Sequence, residues 1–241
     1  MKLNCDMGEI DGPGSMDAEV MPWIDLANIA CGFHASNPDL MARTVACAVA
    51  NKVAVGAHPG YDDKEGFGRR AIPHAPDQVT RLVAYQAGAL DAICRLHGTR
   101  ISYVKPHGAL YNEMMAKEET YQAIVAAVAV LPDRPALMIL AMADSGKYRQ
   151  LAEAKGVPLL FEAFADRAYT DDGRLAPRSE PGAVYHDQER IVAQVTQLAR
   201  KGTVTTVSGK ELALNADTVC VHGDNPESVA VIKALRQALT S

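Results

Sequence analysis

The sequence lacks long apolar runs, which argues against a membrane-spanning protein. None of its 241 residues belongs to an apolar stretch approaching the roughly 20 residues that a membrane span needs. Acidic side chains occur as early as Asp6 and Glu9, too early for the apolar region of a signal peptide. We therefore expect a soluble, cytoplasmic protein with no membrane partner.

A basic excess is also missing. The 24 Lys and Arg residues are outnumbered by 29 Asp and Glu residues, which gives a formal net charge of −5. Nucleic-acid-binding domains carry a basic patch, so this balance argues against a nucleic-acid partner. Aromatic residues are sparse at 5%, whereas hydrophobic residues make up 48% of the chain and can form a sizeable core.

The five cysteines lack the pattern of a disulfide framework, and no CxxC motif occurs. Their number is odd and their spacing is wide, so no disulfide is expected. Cys47, Cys94 and Cys220 lie in helical or apolar segments and are interpreted as small buried hydrophobes. Cys31 lies beside polar residues, and a nucleophilic role for it is left open.

A classical ATP-binding loop is missing as well. The segment "ADSGKY" contains Gly146-Lys147, but the first glycine of the motif is absent and no Ser or Thr follows the lysine. The segment "GFGRR" (66–70) is interpreted as a solvated turn rather than a phosphate contact, since exposed arginines are common. The chain is therefore not expected to form a classical ATP site of its own.

What the chain does contain is a regular alternation of strand-like runs and helical segments. The strand-like runs are KLNC, DLANIA, KVAVGA, ISYVK, ALMILA, PLLFEAF and DTVCVH. Helical periodicity marks 78–97, 187–201 and 226–240, with helix starts at Asn37-Pro38 and Asn225-Pro226. This alternation predicts a parallel sheet with crossover helices, either an open sheet or an incomplete barrel. No composition shift divides the chain, so a single domain over 1–241 is expected.

Polar side chains cluster directly after six of the strand candidates. In parallel α/β folds the carboxyl ends of the strands point to one side, where ligands bind. The residues of these clusters are Asp6, Glu9, His34, His58, Tyr61, Lys105, His107, Tyr111, Asn112, Asp166, Arg167, His222 and Asp224. The remaining histidines, His74, His97 and His186, are interpreted as surface residues. This repetition predicts a ligand pocket on one rim of the sheet.

Two kinds of chemistry suit such a rim. Asp and His side chains from different strands can hold a divalent metal that activates water. The same groups can act without a metal as general acids and bases. A carboxylate could be bound by Lys105 or, through a bidentate pair, by Arg167. The long polar stretch 169–187 is typical of a lid, a binding loop or a disordered connection.

Six longer motifs run through these clusters in a fixed order. They are NCDMGE, ANIACGFHA, GAHPGYDDKEGFGRR, VKPHGALYN, EAFADRAY and VCVHGDNP, from residue 2 to about residue 230. Together they resemble the LamB/YcsF family of 5-oxoprolinase A subunits, and KPHGALYN and FADRAY are the most specific of them. Two departures stand out: Ser36-Asn37 replaces a common Gly-Asp, and the segment after Glu9 lacks the usual glycine- and phenylalanine-rich form.

The resemblance implies an irregular seven-stranded β/α barrel, similar to the barrels of glycoside hydrolases and sugar deacetylases. It implies an enzyme that works with two partner subunits, B and C, to open the lactam of 5-oxo-L-proline to L-glutamate while hydrolysing ATP. ATP with its Mg²⁺ would then be handled largely by the partner subunits. A divalent metal in the barrel mouth, with Asp6, His34 and His58 as candidate ligands, and a homo-oligomeric state are left open.

On this basis the rim residues receive expected roles. Lys105 is expected to neutralise the substrate carboxylate or the charge that develops on the lactam oxygen. His107, with Asp6, His34 and His58, is expected to manage protons or to hold a metal at the attacking water. The expected substrate-binding residues are Glu9, His34, Tyr61, Tyr111, Asn112, Asp166, Arg167, His222 and Asp224. Two rival functions remain: a stand-alone metal-dependent amide hydrolase or deacetylase acting on a carbohydrate, and a non-catalytic lactam-binding module.

Overall fold

The computed structural model describes residues 1–221 and 226–240, and its centre is a closed barrel of seven parallel strands. The strands, in order around the barrel, are β1 (Lys2–Met7), β2 (Leu26–Ala30), β3 (Ala54–His58), β4 (Ile101–Val104), β5 (Ala136–Leu140), β6 (Leu159–Phe164) and β9 (Thr218–Cys220). The last strand, β9, pairs with both β1 and β6 and so closes the sheet. All seven strand predictions are confirmed, and the sheet is a barrel rather than an open sheet.

Helices cover the outside of this barrel. They are α1 (Asp17–Val20), α2 (Pro38–Ala50), α3 (Pro76–Leu96), α4 (Gly108–Ala116), α5 (Glu118–Ala129), α6 (Gly146–Glu153), α7 (Gln188–Lys201) and α8 (Pro226–Thr240). The three helices predicted from periodicity correspond to α3, α7 and α8. The antiparallel hairpin of β7 (Thr203–Thr205) and β8 (Glu211–Ala213) was not expected. Among the described residues, no helix is long and apolar enough to cross a bilayer.

The start of α2 accounts for Asn37 but not for Ser36 in the departure at Ser36-Asn37. The side-chain oxygen of Asn37 accepts a hydrogen bond from the backbone N–H of Leu40 at 2.9 Å, so Asn37 is the helix N-cap. An aspartate at this position could cap the helix equally well. Ser36 has φ +79°, in the left-handed region that favours glycine. The second predicted N-cap, Asn225, lies outside the described residues.

The core has two different parts. Apolar side chains fill the space between barrel and helices, whereas the barrel interior also contains buried polar residues, among them Asn4, Asn28 and Glu162. All five cysteines are free thiols. Cys94 and Cys220 are buried as predicted, but Cys47 is only partly buried, because it lies on the outer part of α2. Polar groups inside a barrel need partners, and Asn4 finds them in the side chains of Thr218 and Asn28 on the neighbouring strands.

The long polar stretch 169–187 forms a wall at this end of the barrel rather than a disordered connection. Bridges join Tyr169 to Leu175, and the Asp171 carboxylate accepts hydrogen bonds from Thr206 and Ser208 beside the β7–β8 hairpin. The β7–β8 hairpin therefore holds the stretch 169–187 in place through these hydrogen bonds. This arrangement places 175–178 along the cavity described below.

Gly56 on β3 gives a test of packing inside the barrel. A Cβ atom at this position would overlap the ring of Tyr103, which is itself fully buried. We expect Gly56→Ala to destabilise the protein by about 1–3 kcal/mol, the usual range for overpacking. A urea unfolding midpoint measures the effect.

Gly88, in the middle of α3, is the matched control. A Cβ atom there would meet no atom within 4 Å. Gly88→Ala should therefore stabilise the protein by about 0.5–1 kcal/mol, since alanine restricts the unfolded chain and favours helix. A Gly56→Ala variant as stable as the wild type would contradict the described position of the Tyr103 ring.

Candidate active site

A cavity of about 660 Å³ opens at the carboxyl ends of the strands. Side chains from β1, β3 and β6, from the turn after β4 and from the stretch after β6 line it. The polar and charged lining residues are Asp6, Glu9, Ser15, Asp17, His58, Arg69, Lys105, His107, Tyr111, Asn112, Arg167 and Arg178. The pocket predicted on this rim therefore exists, and its volume lies in the range of roughly 300–1,000 Å³ typical of ligand sites.

Two histidines face each other at the centre of the site. His107 Nδ1 lies 2.9 Å from His58 Nε2. The outer nitrogen of each ring donates to a backbone carbonyl: His58 Nδ1 to Lys105 at 2.7 Å, and His107 Nε2 to Phe67 at 2.8 Å. Because a carbonyl only accepts, the two facing nitrogens would both present lone pairs if both rings were neutral. A positive species, either a proton or a metal cation, must lie between them.

The pKa values of His58 and His107 are shifted in opposite directions. Burial disfavours the charged form of His58, but the Asp6 carboxylate outweighs this and raises the pKa of His58. Asp6 Oδ2 lies 3.4 Å from His58 Nε2. Burial, helped by the charge of His58, lowers the pKa of His107 to about 3. Without a metal, the pair therefore holds one proton on His58, next to a neutral His107.

A third histidine and a carboxylate complete the centre. The ring of His34 is stacked on that of His107 with 3.8 Å between centroids, and burial lowers the pKa of His34. Glu9 Oε1 lies 3.0 Å from His34 Nε2, 3.5 Å from His107 Nδ1 and 4.0 Å from His58 Nε2. A single carboxylate oxygen thus approaches all three rings.

These four residues fit a divalent metal. Glu9, His34, His58 and His107 each offer one ligand atom, and the four atoms lie within 4.8 Å of one another. His58 and His107 donate their outer N–H groups to carbonyls, as metal-binding histidines commonly do. Imidazole and carboxylate ligands suit zinc and similar transition metals. His34, His58 and His107 were expected as possible metal ligands, whereas Glu9 was expected only to bind substrate and Asp6 lies outside the group.

Lys105 is buried inside the barrel between two carboxylates. Its Nζ lies 3.0 Å from Glu162 Oε2 and 3.3 Å from Asp6 Oδ1, and 3.2 Å from Cys220 Sγ. Burial works against its charge, but Asp6 and the other neighbouring acids more than compensate and raise the pKa of Lys105. The ammonium group therefore stays charged, and its charge is already matched by two acids.

The orientation of Asp6 depends on a chain of hydrogen bonds across neighbouring strands. Asn28 Nδ2 donates to Asp6 Oδ1 at 2.8 Å, and the Tyr103 hydroxyl donates to Asn28 Oδ1 at 2.6 Å. Tyr103 thus orients the side-chain amide of Asn28, which in turn orients the carboxylate of Asp6. The second oxygen of Asp6 is left facing the histidine pair.

The expected site residues fall into three groups. Those that the structure brings together are Asp6, Glu9, His34, His58, Lys105, His107, Tyr111, Asn112 and Arg167. Tyr61 and Asp166 do not line the cavity, and the Tyr61 hydroxyl instead donates to Glu113. His222 and Asp224 lie outside the described residues.

Two sequence interpretations are corrected. The segment 66–70 is not merely a solvated turn, since Phe67 and Arg69 line the cavity while Arg70 pairs with Asp63. Burial raises the pKa of the Cys31 thiol to about 12, which removes it as a nucleophile. His74 and His97, interpreted as surface residues, are each partly exposed.

Several functional residues were missed because they lie within strands or in segments interpreted as loops. They are Asn28, Phe67, Arg69, Tyr103, Glu162, Arg178 and Cys220. The sequence does indicate a role for Glu162, because an acid inside the apolar run PLLFEAF needs a partner within the fold. Nothing in the sequence indicates the contact of Cys220 with Lys105.

The fold and the site together define a seven-stranded parallel β/α barrel with a histidine–carboxylate centre in its mouth. The chain belongs to the LamB/YcsF family, whose family model matches residues 1–241. The resemblance seen in the sequence is thereby confirmed.

Named relatives agree with this membership. The chain is 55% identical over 241 residues to the 5-oxoprolinase A subunit of Vibrio vulnificus strain CMCP6, covering 98% of this chain and 96% of the relative. It is 55% identical over 238 residues to the corresponding protein of Chromohalobacter salexigens, which has the same name, covering 98% and 95%. The crystal structure of the lactam utilization protein from Thermus thermophilus superimposes with a TM-score of 0.91 at 39% identity, covering 100% of this chain and 96% of that one.

Proposed function

We propose that this chain is the A subunit of an ATP-dependent 5-oxoprolinase, which opens the lactam of 5-oxo-L-proline to L-glutamate. The His58–His107 pair beside Asp6, at the base of a cavity, is the observation that carries the proposal. The names of the relatives supply the substrate, since both bacterial relatives described above are called A subunits of 5-oxoprolinase.

The histidine pair suits hydrolysis of an amide. Two neighbouring groups with opposite pKa shifts commonly divide the work of acid and base. Charged His58 can deliver the proton that lies between the two rings to the ring nitrogen, and the freed His107 Nδ1 can then accept a proton from the attacking water. Water adds to the carbonyl carbon, the C–N bond breaks, and the nitrogen leaves as an amine.

The other residues of the site orient and balance charge. Asp6 keeps His58 protonated, while Lys105, held between Asp6 and Glu162, faces the region where the lactam oxygen becomes negative. Lys105 is a poor partner for the substrate carboxylate, because its charge is already matched by Asp6 and Glu162. A divalent metal bound by Glu9 and the three histidines would polarise the carbonyl or lower the pKa of water.

Coupling to ATP follows from the substrate. A five-membered lactam is an unactivated amide, and phosphorylation of its carbonyl oxygen would make the carbonyl carbon more electrophilic. Addition of water and cleavage of the C–N bond would then leave an acyl phosphate, and its hydrolysis by a second water would release phosphate and L-glutamate. The sequence contains no classical phosphate loop, so we assign ATP with Mg²⁺ to partner subunits B and C. The word "subunit" in the names of the relatives supports such a complex.

The chain alone should therefore show little 5-oxoproline-dependent ATP hydrolysis, and addition of subunits B and C should restore it together with glutamate formation. Coupled assays for phosphate and for glutamate measure the two products. Full turnover by the isolated chain with ATP would show that the division of labour is wrong.

The Glu9–histidine group favours one second candidate, a stand-alone metal-dependent amide hydrolase acting on acetylated sugars. This candidate requires a bound metal and activity without ATP. Metal analysis of the purified chain, followed by an assay of acetyl-amide hydrolysis before and after chelation, separates the two functions.

A further inference from the structure

Three arginines line the cavity besides the histidine centre: Arg69, Arg167 and Arg178. Arg167 and Arg178 lie on the stretch that follows β6, and Arg69 lies on the turn after β3. We call these three residues the arginine wall. None of them forms an ion pair with another residue in the described part of the chain.

Arg167 is the buried member of the arginine wall. The residue is 7% exposed, and its guanidinium donates to the Ala176 carbonyl at 2.7 Å and the Ala183 carbonyl at 3.3 Å. These carbonyls fix its position but carry no counter-charge. Because a buried charge without a partner is costly, an anion from outside the chain is the natural partner for Arg167.

Arg178 adds a second positive charge beside the first. Burial lowers the pKa of Arg167, and the charge of Arg178 lowers it further, while the weaker effect of Asp166 acts in the opposite direction. Arg178 is exposed and lines the same cavity as Arg167, so an anion that enters the cavity can contact both guanidinium groups. A ligand with a single negative charge would balance only one of the two.

The rest of the cavity cannot take an anion so readily. Asp6, Glu9 and Asp17 add acidic groups to its lining, and the charge of Lys105 is already matched by Asp6 and Glu162. The arginine wall is therefore the part of the cavity lining whose positive charges form no ion pair within the described residues. A volume of about 660 Å³ also leaves space beside a small lactam acid.

We propose that the arginine wall is a subsite for a dianionic oxyanion, the phosphoryl group of a phosphorylated ligand. A phosphoryl group concentrates two charges on one tetrahedral centre, and guanidinium groups bind its oxygens in bidentate fashion. A dicarboxylate spreads the same charge over two separate centres and fits adjacent arginines less well. The proposal rests on the proposed function for the identity of the carrier, a lactam phosphorylated on its carbonyl oxygen.

Binding of methyl phosphate and of acetate to the purified full chain tests the subsite. At pH 8 methyl phosphate is a dianion, since the second pKa of a phosphate monoester is about 6. Isothermal titration at constant ionic strength gives both dissociation constants. We expect methyl phosphate to bind at least about tenfold more tightly than acetate, and Arg178→Ala to weaken methyl phosphate by at least about tenfold.

Arg174→Ala is the matched control, because Arg174 lies on the same stretch, is exposed and does not line the cavity. It should leave binding of methyl phosphate unchanged, and Arg178→Lys should restore part of the affinity. Equal or tighter binding of acetate would overturn the proposal, as would unchanged methyl phosphate affinity in Arg178→Ala or no saturable binding at millimolar concentrations.

The subsite and the proposed function can fail separately. If the complete complex forms glutamate from 5-oxoproline and ATP but the arginine wall does not bind methyl phosphate, the proposed subsite is wrong and the proposed function stands. If methyl phosphate binds as expected but the complete complex does not open 5-oxoproline, the subsite stands and its natural ligand is a different phosphorylated compound.

Discussion

In the complete complex, His107→Ala is expected to lower turnover of 5-oxoproline by roughly 100-fold or more, the size typical of lost acid–base help. His107 Nδ1 faces His58 at 2.9 Å, and the variant removes the neutral member of the pair. The fold should survive, because the side-chain contacts of His107 are with other residues around the cavity: His58, the stacked ring of His34 and the Phe67 carbonyl. Steady-state kinetics and a melting curve, both on the assembled complex, measure the two effects.

His186→Ala is the matched control for this variant. His186 is exposed and does not line the cavity, so its loss should change neither turnover nor stability. His107→Gln is informative as well, since the glutamine amide can still donate to the Phe67 carbonyl but offers no ring nitrogen to His58. Near-normal turnover in a folded His107→Ala complex would remove His107 from the reaction centre.

The sequence was sufficient to predict the barrel strands and most of the rim. Each strand is a short apolar run bounded by turn residues, and parallel strands expose their carboxyl ends on one side, so Asp6, His58 and His107 were expected to converge. Closure of the sheet was not predictable in this way. It depends on the pairing of β9 with β1, which are separated by almost the whole chain.

Residues that act through other residues were harder to predict. Asn28 and Tyr103 lie inside strands, and no sequence pattern there indicates which residues their polar atoms contact. Their role follows only from the register of β1 with β2 and from the space that Gly56 leaves for the phenol ring. Such positions are decided by three-dimensional packing, not by local spacing.

Arg178 illustrates a different difficulty. It lies in a polar stretch that sequence patterns could assign to a lid, a binding loop or disorder. Its place beside the cavity depends on the β7–β8 hairpin, which supports the stretch through Asp171. The sequence pattern of the short strands β7 and β8 was too weak to predict the hairpin or its contact with the stretch.

Glu162→Ala is expected to destabilise the protein by about 3–5 kcal/mol, the range for breaking a buried ion pair by removing one partner. Glu162 is fully buried, and its Oε2 lies 3.0 Å from Lys105 Nζ. Lys105 would keep Asp6 as a partner, so the loss should fall at the lower end of that range. Urea unfolding gives the free energy, and Glu162→Gln separates the loss of charge from the loss of volume.

The double variant Lys105→Met with Glu162→Leu distinguishes stability from function. Replacing both members of a buried ion pair by apolar side chains is often neutral for stability, so the double variant should recover much of what Glu162→Ala loses. Its turnover in the complete complex should nevertheless stay low, because Asp6 would lose the cation at 3.3 Å that balances its charge next to His58. A stable double variant with wild-type turnover would show that the pair only fills the barrel, and that the reaction needs neither the Lys105 charge nor the position it gives to Asp6.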